Sequence, residues 1–289
     1  MNKIALVLAF ALFSINTSAE PTWQGTGEYK DDYLVGTIHV GDQRLKELSE
    51  QLKMRIEAVD IVAVEVDLAN VSALQQQQIV MELAMLPRGT TVTQLISPVV
   101  ATKVNRYLQQ FGGEIFQYEQ FKPWMLAVMM VQMSYEKMGL VAEHGIDQQI
   151  IEHAKKHNKT ILELETFEQQ LNIFNRLFDN NDSIDYNDML LDTLEELNTM
   201  SDMPQVMLEA WINSDISAFE KIYETTLKQT GYDKALENVL LIERNLAWQK
   251  ILNPVLKEKS VMVATGTLHY IGPTGLPALL NGDFQLLKK

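Results

Sequence analysis

Cysteine is absent from the 289 residues. Disulfides, thiolate metal ligands and a lipidated cysteine are therefore excluded, and stability must come from packing. Basic residues are scarce: 24 Lys and Arg stand against 38 Asp and Glu, a formal charge of −14. Such an acidic surface repels phosphate and argues against nucleic acid as a partner. Long apolar runs are also missing. The longest beyond the N-terminus, Trp124 to Met133, covers about ten residues and is broken by Gln132, against the roughly 20 that a spanning helix needs. It suits a buried helix. No Gly-x-Ser-x-Gly elbow, Walker loop or Rossmann glycine fingerprint occurs.

What is there begins with Met1-Asn2-Lys3, the apolar stretch Ile4 to Phe13 and a more polar segment ending at Ala19. Charged start, short apolar centre and small residue at the end read as a secretory signal peptide. Residues 1–19 are expected to be the signal, cleaved before Glu20, and 20–289 a single domain. The protein is then exported, to the periplasm rather than fully secreted, with no stable membrane insertion after cleavage.

Tyr33 to Val40 reads as a buried strand, Leu45 to Val59 has apolar residues at helical spacing, and Asp60 to Asp67 is β-branched until its carboxylates. This is a βαβ-like opening. The middle is largely helical. Helices are expected over Val71 to Met85, from Pro98 (capped by Ser97) to about Gln110, from Pro123 to about Met138 and over Ile146 to His157. The strand Thr160 to Glu165 follows, then a capping box of Thr166 and Gln169. Several helices run from Ile184 to Ile251, broken near Met203-Pro204, Ser214 and Gly231. Ser260 to His269 reads as a closing strand, followed by a short helix at Leu276 to Leu280 and a last strand at Phe284 to Leu287. With no low-complexity linker, the fold class is α/β (α+β): a central sheet from both chain ends with a large helical insertion.

Two segments echo one another, Gly36-Thr37-Ile38-His39 and Gly266-Thr267-Leu268-His269. They suggest two related strands, set about a pseudo-twofold, each delivering an imidazole at its end. The glycines, Gly36 and Gly266, allow a backbone or ligand to come close. Strand ends are where open α/β sheets hold ligands. Glu65 and Asp67, two apart, are expected on one face at the end of the strand after the first motif. Buried charges need a partner or a metal. Two imidazoles with one or two carboxylates suit a divalent ion such as zinc or manganese. The plainer alternatives are a structural histidine at each strand end, and helix capping or a salt bridge for the carboxylates.

Other candidates carry less. His153 and His157 have the spacing to share a metal on a helix, but Ala154 stands where a zinc-protease helix has Glu, and Lys155 and Lys156 follow. A solvated helix end is the expectation. His144 reads as a loop residue. Glu163 and Glu165 share a strand face as a structural pair or a catalytic carboxylate. Glu243-Arg244-Asn245 lies in a helical stretch with a solvated face as the default.

Taken in order, these segments resemble the TraB/GumN family, related to the Tiki metalloproteases and more distantly to the erythromycin esterases. The resemblance rests on Leu34 to His39, Val64 to Asp67, Lys122-Pro123-Trp124, Gly145-Ile146-Asp147, Leu164-Glu165-Thr166 with Gln169-Gln170-Leu171, Glu243-Arg244-Asn245 with Trp248, and Gly266 to His269 with Gly272 and Gly275-Leu276. It spans nearly the whole mature chain. It implies a metal-dependent hydrolase, a peptidase, with His39, His269 and Glu65 around a divalent ion (manganese, cobalt or zinc). Glu165, Arg244 and Asn245 match further motifs and are candidates to line the site, with Glu165 or Asp67 as base and Arg244 and Asn245 at substrate or oxyanion. Many relatives read Gly-x-Gly-His in the last motif; here Thr267-Leu268 fills the gap and removes a glycine beside the histidine. The implied partner is a peptide or protein substrate. The rivals are a metal-free ester or lactone hydrolase with a histidine base, and a non-catalytic peptide binder.

Overall fold

The computed structural model describes residues 20–178, 185–199, 202–226 and 231–287. The expected signal, 1–19, and Ile184 lie outside them. The chain opens with the strands β1 (Thr22–Gly25) and β2 (Tyr33–Thr37), then α1 (Glu50–Ala58) and β3 (Ile61–Val64). The helices α2 (Ala73–Leu83), α3 (Val92–Leu95), α4 (Pro98–Gln109), α5 (Pro123–Lys137) and α6 (Ile146–Lys156) lead to β4 (Thr160–Glu163). Next come α7 (Phe167–Phe178), α8 (Tyr186–Thr199), α9 (Met203–Ile212), α10 (Ile216–Thr226), α11 (Gly231–Glu237) and α12 (Glu243–Val255). The chain closes with β5 (Val261–Gly266), α13 (Leu276–Leu279) and β6 (Phe284–Leu286).

The strands form one mixed sheet in the order β4-β3-β5-β2-β1-β6. β4, β3, β5 and β2 are parallel, and β1 runs antiparallel to both β2 and β6. Alternation divides the apolar residues between two faces. Val35, Val62, Val64, Met262 and Ala264 pack with Leu52 and Ile56 of α1 and Ile150 and Ile151 of α6. Leu34, Ala63, Val261 and Val263 pack with Trp248 and Leu252 of α12 and with Leu276. A further core joins α4, α5 and α8 through Val104, Leu108, Trp124, Met130 and Leu190. The α/β fold with a helical middle therefore stands, with β4 as an edge strand contributed by that middle.

Several boundaries differ from expectation for local reasons. β1 is an added strand where the sequence suggests only a lead. α1 begins late because Ser49 caps it, its Oγ accepting from the Leu52 N–H at 3.0 Å. β2, β3 and β4 end at Thr37, Val64 and Glu163, before the charged residues that follow. β5 ends at Gly266, and Thr267–Tyr270 form a 3-10 turn. That turn is locked by Tyr270, whose hydroxyl donates to the Val263 carbonyl at 2.9 Å and accepts from the Thr265 N–H at 3.2 Å. The break at Ser214 is a left-handed residue with φ of 52°.

The two motif strands are adjacent and parallel, which replaces the expected pseudo-twofold. A parallel ladder relates neighbours by translation across the sheet. The register is also offset by one residue: Thr37 pairs with Gly266 and Gly36 with Thr265. The two motif glycines thus face opposite sides of the sheet.

Candidate functional site

Each of the four parallel strands ends just before one charged or imidazole side chain: Glu165 after β4, Glu65 after β3, His269 after β5 and His39 after β2. The helices flanking the sheet add the rest. Arg244 and Asn245 come from the first turn of α12, and Asp147 from the first turn of α6.

Arg244 is the centre. Its Nε donates to Glu165 Oε2 at 3.0 Å, its Nη2 to Glu165 Oε1 at 2.6 Å and to Glu65 Oε2 at 2.5 Å. Its Nη1 donates to His269 Nε2 and to the Leu240 carbonyl, both at 3.0 Å. The guanidinium also lies 4.6 Å over the Trp248 ring. Leu240 belongs to a π-helical turn, Asn238–Ile242, immediately before α12. Such turns leave a carbonyl free of the α ladder and recur at functional sites.

The contacts fix the state of His269. Asn245 Nδ2 donates to the carbonyls of His269 at 3.1 Å and Thr274 at 2.8 Å. Its Oδ1 must therefore accept from His269 Nδ1 at 2.7 Å. Arg244 can only donate, so His269 Nε2 accepts and the ring is neutral with its proton on Nδ1. Burial agrees, pushing its pKa down to about 3 against the attraction of Glu65. Burial alone would raise Glu65, but Arg244, His39 and the Gly266 N–H, which donates at 2.8 Å, hold its carboxyl below the usual carboxylate range. Glu165 shifts the other way, raised by burial in spite of Arg244.

His39 has a different setting. Its Nδ1 pairs with Asp147 Oδ2 at 3.0 Å, and Thr37 Oγ1 donates to Asp147 Oδ1. Asp147 raises the His39 pKa, although 66% of the side chain is exposed and solvent screens that attraction. The ring faces a cleft of about 410 Å³ shared with Glu65, Leu68, Glu143, Asp147 and Gln170. Gly266 lies between Glu65 and the two motif histidines. A Cβ there would lie 3.4 Å from Glu65 Oε1, 3.6 Å from His39 Nε2 and 3.7 Å from His269 Cδ2. Gly36 has another duty: a Cβ there would meet Thr267 Oγ1 at 2.8 Å, where the two motifs touch and Thr267 Oγ1 donates to the Thr37 carbonyl.

His39, Glu65, Glu165, Arg244, Asn245 and His269 thus share one centre. Asp67 does not. Alternation stops at Val64, and its fully buried carboxylate turns to Lys155 on α6. Glu163 and Glu165 part in the same way: Glu163 accepts from the Asp67 N–H at 2.9 Å, away from Arg244. Lys122 and Trp124 both donate to Asn175 in the helical core, so that motif is structural. His144 lies in a 3-10 turn, with both ring nitrogens buried and without a hydrogen-bond partner. Sequence reasoning missed Asp147 and Gln170 as site residues. Gln170 Nε2 reaches Glu165 Oε1 at 3.2 Å. Asp147 and Gln170 both stand in segments that carry the family resemblance, Gly145-Ile146-Asp147 and Gln169-Gln170-Leu171, but neither is assigned a role there.

By type, the donors fit a divalent ion. Both histidines have Nδ1 fixed by an oxygen, as metal-binding histidines do. The obstacle is Arg244, which engages His269 Nε2 and Glu65. Among the described residues the three-donor cluster whose ligand atoms all lie within 4.8 Å is a different one, Glu57, His153 and His157.

The model of the TraB/PrgY/gumN family matches residues 21–283. The chain is similar to the uncharacterized protein YbaP of Shigella flexneri, 28% identical over 252 residues, 87% of this chain and 88% of that one. It is equally similar to YbaP of Escherichia coli (strain K12), 28% identical over 249 residues, 86% and 87% of the two chains. No solved structure matches it.

Proposed function

The chain belongs to the TraB/PrgY/gumN family, and from that premise we propose that it is a metal-dependent hydrolase, a peptidase acting on exported peptides or proteins in the periplasm. One observation carries this reading. His39 Nε2 and the Cδ2 edge of His269 both approach the position a Cβ on Gly266 would take, at 3.6 and 3.7 Å, and each ring has Nδ1 fixed by an oxygen, Asp147 for His39 and Asn245 for His269. With Glu65 they make a donor set suited to manganese, cobalt or zinc.

A divalent ion in this set supplies Lewis acidity to the scissile carbonyl and to a water. The protein's own groups do the rest. Glu165, whose pKa burial raises, takes a proton from the attacking water. Arg244, with all five N–H groups engaged, holds Glu65, Glu165 and His269 in place. Asn245 holds the His269 tautomer, and Asp147 orients His39 at the cleft.

A second reading is favoured by Arg244. Its guanidinium already pairs with both Glu65 and Glu165 and donates to His269, so one of the two acid charges is balanced without a metal. His39, held by Asp147 and open to the cleft, is then the general base on an ester or lactone.

Elemental analysis of tag-free mature protein, beside a His39→Ala, His269→Ala double variant, separates the two when combined with a peptide and ester turnover screen. Manganese, cobalt or zinc that is lost in the double variant, with chelator-sensitive peptide cleavage, supports the metallopeptidase. Turnover that survives exhaustive chelation supports the histidine-base esterase. Full turnover in the double variant would sink both.

A further inference from the structure

A second cluster lies between α1 and α6, helices that pack through Leu52, Ile56, Ile150 and Ala154. Glu57 sits in the last turn of α1, His153 in the last turn of α6, and His157 caps that helix. His153 Nε2 lies 2.9 Å and His157 Nε2 3.5 Å from the same oxygen, Glu57 Oε1. The two rings stack with centroids 4.4 Å apart and 24° between planes. Among the described residues, two nearby lysines leave the Glu57 carboxylate free of a lysine partner. Lys155 pairs with Asp67, and Lys159 donates to the Glu57 carbonyl rather than its carboxylate.

We propose that Glu57, His153 and His157 form a zinc site that staples α1 to α6. The spacing suits it: residues four apart on a helix are neighbours on one face. Tetrahedral zinc with bonds of about 2.0–2.1 Å separates its ligand atoms by about 3.3 Å. The observed 2.9 and 3.5 Å bracket that value, and one ligand atom from each residue lies within 4.8 Å of the others. Water takes the fourth position. Side-chain exposures of 15% for His153, 35% for His157 and 42% for Glu57 let an ion enter without opening the fold. Imidazole nitrogen with one carboxylate selects zinc over magnesium, which demands oxygen ligands. The site is separate from the motif centre. Asp147, which touches His39, stands six residues earlier on α6, about 9 Å along the helix. The site's formation does not depend on the hydrolase reading.

The test is calorimetric titration of tag-free mature protein with zinc alone, paired with thermal denaturation. The variants are His153→Gln with His157→Gln, Glu57→Gln, and His39→Ala with His269→Ala. The proposal expects about one zinc equivalent to vanish in the first double variant and to persist in the last. It expects Glu57→Gln, which changes an exposed side chain and leaves the fold intact, to weaken binding on the order of tenfold. Magnesium should give no thermal shift. Unchanged zinc stoichiometry and thermal shift in His153→Gln, His157→Gln would overturn it. So would loss of all zinc in His39→Ala, His269→Ala, which would assign the ion to the motif centre.

Discussion

Arg244 Nη1 donates to His269 Nε2 at 3.0 Å, and the same guanidinium spans the carboxylates of Glu65 and Glu165. One cation thus bridges two buried acids and fixes an imidazole as acceptor. Arg244→Ala leaves both acids uncompensated. Breaking a buried pair in this way costs about 3–5 kcal/mol, so a large fall in Tm is expected. In the metal-dependent reading, manganese restores part of that fall, because ion and guanidinium answer the same charge. Thermal denaturation of the variant with and without manganese checks this. A fall with no rescue would favour the metal-free reading.

The two motif histidines should fail differently. His39 is largely exposed at the cleft, and Thr37 still donates to Asp147 without it. His39→Ala is expected to change stability by no more than about 0.5 kcal/mol while lowering turnover by roughly 10²–10⁴-fold. His269 is buried against Trp248 and supplies the donor for Asn245 Oδ1. His269→Ala leaves a void and an unsatisfied acceptor, an added loss of about 2–4 kcal/mol. Denaturant titrations beside turnover separate the cases, and a fully active His39→Ala would remove that residue from the chemistry.

What the sequence made legible follows the reach of local rules. Apolar strands that run into charge pointed to His39, Glu65 and His269 at strand ends, although β2, β3 and β5 stop at Thr37, Val64 and Gly266, short of the expected Val40, Asp67 and His269. The same alternation misgrouped Asp67 with Glu65, because it applies only while the strand lasts and β3 stops at Val64. Arg244 sat in a motif, yet its role as hub depends on the π turn at Asn238–Ile242 and on carboxylates from two other strands. Glu57 meets His153 across 96 residues of chain, a contact no spacing encodes.

Alanine at the two motif glycines offers a geometric test. A Cβ at Gly36 would lie 2.8 Å from Thr267 Oγ1 and 3.2 Å from Thr267 Cα, so the second motif must shift. Gly36→Ala is expected to destabilise by about 1–3 kcal/mol. At Gly266 the nearest atoms are 3.4–3.7 Å away, ordinary contact, but the methyl would stand between Glu65, His39 and His269. Gly266→Ala should keep its Tm and lose roughly tenfold or more in turnover through misplaced substrate. Equal behaviour of the two variants in both assays would contradict their assigned duties.

Asp32 gives a stability prediction away from the site. It is buried between β1 and β2, and its Oδ1 accepts from the Val261 N–H at 2.6 Å, tying that hairpin to the start of β5. Burial raises its pKa from 3.8 to about 6, opposed by the Val261 hydrogen bond and aided by Asp31. A carboxyl whose folded pKa exceeds its unfolded one holds its proton more tightly when folded. Its contribution is fully present below pH 3.8 and is lost as pH rises through about 6. Asp32→Asn keeps the acceptor and never ionises. Near pH 7.5 the variant should therefore be more stable than the parent by about 1–2 kcal/mol, a figure reduced for solvent screening. The advantage should vanish toward pH 4, where both side chains are neutral. Denaturant titrations across that range check the sign. A variant less stable near pH 7.5 would mean that the charged hydrogen bond to Val261 outweighs the burial of Asp32.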